Sequence, residues 1–116
     1  MSREEARLRE AVVRQALDGP GHATPEARRA AFDNRDVPPA AAALVDTVAR
    51  HAWKMTDRHV EDARRGGLSE DEVFELTVCV ALGQATRQLE AALAVLDAAT
   101  REDERDAGIG TQGGRS

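Results

Sequence analysis

The stretch from Val73 to Leu96 carries the strongest pattern in the chain. Between Val73 and Leu82 every position except Glu75 and Thr77 is apolar. Beyond it the apolar residues narrow to a stripe, Leu82, Ala85, Leu89, Ala92, Leu93 and Leu96, at helical spacing. The first half predicts a helix covered on most of its circumference, the second a helix that meets a partner along one face. Gly66-Gly67 ends what precedes it, and Ser69 followed by Glu72 reads as a capping box. Glu70, Asp71 and Glu72 add negative charge at the positive end of the helix dipole. Unbroken from Glu70 to Arg101, such a helix is roughly 48 Å long, against a diameter of roughly 35 Å for a compact chain of this length. It must therefore bend, with Gly83 the natural point, or overhang its subunit. An overhanging Leu89, Leu93 and Leu96 stripe requires a second subunit.

The rest of the chain reads as further helices. Ser2 with Glu5 is another capping box, followed by an apolar face of Ala6, Leu8, Val12 and Ala16, joined by Val13 and Leu17. Asp18-Gly19-Pro20-Gly21 stops this helix. Thr24-Pro25 opens a short second one, whose contacts fall to Ala27, Ala30, Ala31 and Phe32 and whose left-handed terminator is Asn34. Val37-Pro38-Pro39 launches a third helix, expected from Ala40 to Arg65, with the stripe Leu44, Val48, Ala52, Met55, His59 and Ala63. This stripe sets His59 inside an apolar seam, with His51 and Trp53 on its flanks. The third and fourth helices are expected to fold back on each other at the double glycine as a long antiparallel hairpin. No alternating run suggests a strand. The fold class is thus all-α, with residues 1–101 one helical domain and 102–116 a flexible C-terminal tail.

Composition sharpens this picture. Of 116 residues 41% are hydrophobic, but much of that is alanine, and the aromatics are only Phe32, Trp53 and Phe74. An alanine-rich core buries little area per residue, so a lone copy is thinly stabilised and a homo-oligomer is expected. The net charge of -5 is interspersed rather than blocked, which argues against nucleic acid as a partner. The charged start MSREEARLRE and the lack of a long apolar run argue against a signal peptide and a membrane span. Cys79 is the single cysteine, which excludes an intramolecular disulfide and fits a cytoplasmic home.

The block from His59 to Leu76, HVEDARRGGLSEDEVFEL, resembles the AhpD-like superfamily, which includes the alkylhydroperoxidase AhpD and carboxymuconolactone decarboxylase families. Its pattern is a Cys-x-x-Cys-x-x-x-His run, an Ala four residues on, a Gly four beyond, then a helix opening with Ser and acidic residues. His59, Ala63, Gly67, Ser69 and Glu72 match it, and the likeness extends over roughly residues 40–96. The resemblance implies an all-helical, usually oligomeric protein. The redox cysteines of the pattern, however, fall on Ala52 and Met55, and the acidic residue of its proton relay falls on Ala40. Peroxide reduction by this route needs an attacking thiolate and a resolving thiol, and neither is present.

The candidate site follows from these readings. His59 is the candidate acid/base residue, weighed against a histidine merely buried and hydrogen-bonded between helices. Met55 and Arg87 are the candidate ligand-binding residues, with Arg87 positioned to hold a small anionic ligand such as a carboxylate. The leading expectation is an oligomeric binding or scaffold module without peroxidase activity. The alternative is a decarboxylase- or isomerase-type enzyme, with His59 as proton shuttle and Arg87 as carboxylate anchor. No cofactor or metal is implied: His51 and His59 lie eight residues apart, about 12 Å along one helix, too far to share an ion. Cys79, in the most apolar segment, reads as an inert buried thiol. Ala107-Gly108-Ile109-Gly110 is similar to the Gly-Ile-Gly core of peptides that dock cargo into encapsulin shells. Those peptides carry a second apolar residue soon after, whereas Thr111-Gln112 follow here, and a glycine-rich tail is the plainer reading.

Overall fold

The computed structural model describes residues 2–111, whose regular structure is helical with no strand. The helices are α1 (Arg3–Asp18), α2 (Pro25–Asp33), α3 (Pro39–His51), α4 (Asp57–Arg65) and α5 (Glu70–Thr111), with a single 3-10 turn at Ala52–Lys54. One compact unit ends at Ala85 and a second begins at Thr86. The all-α expectation holds, and the expected tail gives way to α5 as far as Thr111. Residues 112–116, the remainder of that tail, lie outside the described residues.

Local chemistry explains where most helices start and stop. The Ser2 hydroxyl accepts the Glu5 amide at 3.1 Å, and the Glu5 carboxylate accepts the Ser2 amide at 3.2 Å. Ser69 and Glu72 exchange the same pair of bonds at 3.0 and 3.1 Å to open α5. Thr24 caps α2 through the Ala27 amide, with Pro25 in its first turn, and Asn34 ends α2 at φ 51°. Gly67 takes φ 111° after α4, a conformation open to glycine, while the Leu68 amide donates back to the Ala63 carbonyl.

The long third helix expected from Ala40 to Arg65 does not form. The α-helical run ends at His51, and Met55 and Thr56 are extended (ψ 133° and 167°) before α4 starts. Thr56 precedes Asp57 at the N-terminus of α4, so a cap-and-acid start outweighs the periodicity that runs across it. Consequently α4, a nine-residue helix, and not one arm of a long hairpin, leads into the Gly66-Gly67 turn. The stripe from Leu44 to Ala63 is split, and Met55 sits in the break.

The core of the first unit is built on small residues. Leu17, Ala31, Ala41, Val45, Leu76, Cys79 and Val80 are buried in one cluster drawn from α1, α2, α3 and α5. Leu44, Ala63 and Val73 form a second, and Met55 and Leu68 pack against both. Two expectations about faces are corrected. On α1 the buried side runs through Val13, Ala16 and Leu17, while Leu8 and Val12 are exposed. On α5 burial follows Val73, Leu76, Cys79, Val80 and Gly83, and Phe74 faces out at 69% exposure. The apolar first half of α5 is therefore covered along one stripe, not all round.

Gly83 is where α2 ends against α5. A methyl group there would stand 1.9 Å from the Phe32 carbonyl oxygen. The glycine serves this close approach, and α5 continues through it as helix. Gly83→Ala is expected to lower stability by about 2 kcal/mol, because the backbone carbonyl has no rotamer to escape into. A gain of about 1 kcal/mol would follow from helix propensity alone, so the sign of the change in urea unfolding tests the contact.

Candidate functional site

His59 stands at the third position of α4, and its ring is half-buried. Its Nδ1 accepts the Thr56 amide hydrogen at 3.0 Å and lies 3.1 Å from the Thr56 hydroxyl oxygen. The imidazole thus takes the place that a Glu or Gln side chain holds in a usual capping box. With Nδ1 accepting the Thr56 amide, Nε2 is the ring nitrogen left for surrounding groups. Met55 is half-buried between the two core clusters of the first unit. Arg87 is exposed and belongs to the second unit. His51 and Trp53 stack edge to face at 5.0 Å, with Trp53 76% exposed on the 3-10 turn.

A denser polar constellation lies elsewhere in the first unit, around Glu75, His22 and Arg28. Glu75 is the one acidic residue in the apolar run of α5, and its side chain is 19% exposed. Its oxygens accept the His22 amide at 2.8 and 2.9 Å and the Ala23 amide at 2.9 Å. The His22 ring adds Nδ1 at 3.2 Å, and its Nε2 lies 3.7 Å from Asp71. Gly21 is required by this approach, since a methyl group there would meet a Glu75 oxygen at 2.5 Å. The carboxylate therefore pins the loop between α1 and α2 onto α5. Burial disfavours the charged form of Glu75, but the amides of Ala23 and His22 and the His22 ring together outweigh it and hold the carboxyl below its ordinary range.

Arg28 is 5% exposed, the only charged side chain so deeply buried among the described residues. Its Nη1 donates to the carbonyls of Gly19 at 2.7 Å and Ala16 at 3.3 Å. Helix α1 has no basic residue in its last turn, and Arg28 of α2 supplies the positive charge its C-terminus lacks. The Cys79 thiol lies close by, 3.6 Å from the Ala16 carbonyl and 1% exposed. Burial pushes this thiol up, with Arg28 opposing and Glu75 adding to the effect.

Beside these groups is a cleft of about 220 Å³. Ala16, Pro20, Phe74 and Val78 form its apolar wall, and Gln15, Arg28 and Glu75 its polar lining. Sequence periodicity passed over this site, although two signals were legible. A lone carboxylate in an apolar run needs donors, and Arg28 shares a helix face with Ala31 three residues on, the most buried position of α2.

Two measurements check the site. Glu75 titrates lower in the folded than in the unfolded chain, so its contribution to stability is present above the unfolded value, about 4.3. That contribution fades as pH falls through the lowered folded value. Glu75→Gln should lower stability at pH 7 and flatten the acid limb of a denaturation series; an unchanged acid limb contradicts the clamp. Cys79 in the native protein should react with an aromatic disulfide reagent at least about a hundredfold more slowly than in urea-unfolded chain. Compared with protein-family models, with curated proteins and with solved structures, the chain matches none, so the chemistry of the site rests on its own geometry.

Proposed function

We propose that the protein is a non-peroxidase helical module that works as an assembly of identical copies, on an AhpD-like framework from which the redox cysteines are missing. The observation that carries this reading is the apolar row on the second half of α5. Leu96 is 61% exposed and Val95 69%, with Leu89 and Leu93 half-buried beside them. Leu89 and Leu96 lie seven residues apart, as do Ala92 and Ala99. A seven-residue apolar repeat is the period shared by helices that wrap around each other. The same helix in a second copy has that period by construction, and the alanines permit a close approach of the two backbones. Thiol chemistry finds no support in the site: Ala52 and Met55 occupy the cysteine positions, and Cys79 is buried with its ionisation disfavoured.

The test is the molar mass in solution. Light scattering on the purified chain should give a multiple of 12.5 kDa. Leu96→Glu, a substitution at an exposed position, should shift the protein to the single-copy mass while leaving its helical circular dichroism largely intact. A wild-type species of single-copy mass across the micromolar range would refute the assembly.

A further inference from the structure

We propose that the cleft beside Arg28 is a binding site for a small monocarboxylate with an apolar body. The inference stands on the first unit alone and holds whatever the number of copies. A guanidinium stays charged at any physiological pH, and burying one without a carboxylate partner is costly. Arg28 is buried to that degree, yet it takes part in none of the ion pairs among the described residues. Its Nη1 bonds go to neutral carbonyls, and its Nε is buried without an acceptor. Glu75 lines the same cleft, but its two oxygens already accept the amides of His22 and Ala23 and face the His22 ring. The cleft thus holds a guanidinium that no acidic side chain among the described residues meets at ion-pair distance, with Glu75 beside it but its oxygens engaged by the loop. A carboxylate supplies the planar pair of acceptors that a guanidinium fits best.

The remaining wall defines the rest of the ligand. Ala16, Pro20 and Val78 present apolar surface, and Phe74 stands at the lip, 69% exposed although it sits in the most apolar run of the chain. An apolar ligand body laid on this wall accounts for a phenylalanine turned away from the core. At about 220 Å³ the cleft is smaller than a site for a drug-sized molecule, which begins near about 300 Å³. The charge of Glu75 beside it opposes a second negative charge, so a monoanion is favoured over phosphate.

Benzoate is the probe, titrated into the full chain and followed by the amide shifts of Gln15, Arg28 and Val78. Saturable shifts are expected with a dissociation constant of about 1 mM or tighter, and benzyl alcohol should bind about tenfold more weakly. Inorganic phosphate should leave these amides unmoved. Arg28→Lys keeps the charge but loses the planar fork, and should weaken benzoate about tenfold. Val78→Trp fills the cleft from its half-exposed rim, leaves Arg28 in place, and should abolish binding even if Arg28→Lys fails to fold. The proposal is overturned if benzoate gives no saturable shift up to about 20 mM. Equal binding of benzyl alcohol or phosphate, or benzoate shifts that survive Val78→Trp, overturn it as well. In those cases Arg28 serves only to close the end of α1.

Discussion

Where α2 ends on α5, the Phe32 carbonyl comes so close to Gly83 that no side chain fits between them. This spacing is the constraint on which the first unit depends. Its core is filled largely by alanine and valine with a few leucines, and Ala31 and Ala41 are fully buried. Small side chains bring helix backbones together, and close backbones carry the polar ends of helices inward with them. Those ends then need partners from within the chain.

Arg28 and Glu75 are the partners supplied. Arg28 donates to the carbonyls that α1 leaves at its C-terminus, and Glu75 accepts the amides of the loop that follows. The two charges thus both close the α1–α2 connection, Arg28 at its carbonyls and Glu75 at its amides. They differ in how far they are satisfied. Glu75 is surrounded by donors, whereas Arg28 has only neutral acceptors and a buried Nε without one. The imbalance falls on a cleft with an apolar wall, and this turns a structural device into a candidate binding site.

The second unit follows a different logic. Its part of α5 keeps a seven-residue leucine and alanine repeat but leaves Val95 and Leu96 exposed. An alanine-rich chain gains little from its own core, and the exposed row is the surface on which the proposed assembly of copies rests. The proposed assembly and the proposed ligand site thus rest on separate residues, Leu96 in one case and Arg28 and Val78 in the other.

What the sequence determined by itself was local. Ser2 with Glu5, Thr24 with Pro25, Asn34, Gly67 and Ser69 with Glu72 each act within a few residues, and each does what its chemistry predicts. Periodicity misled where a local signal crossed it: Thr56 and Asp57 start a new helix inside the stripe that was expected to carry His59 into a seam. It also misassigned Leu8, Val12 and Phe74, because an apolar residue does not declare which face its neighbours will cover. Only the tertiary structure brought Glu75 to His22, across 53 residues of sequence. Such contacts depend on how closely helices pack, a property of all the small residues at a crossing together and of no single one of them.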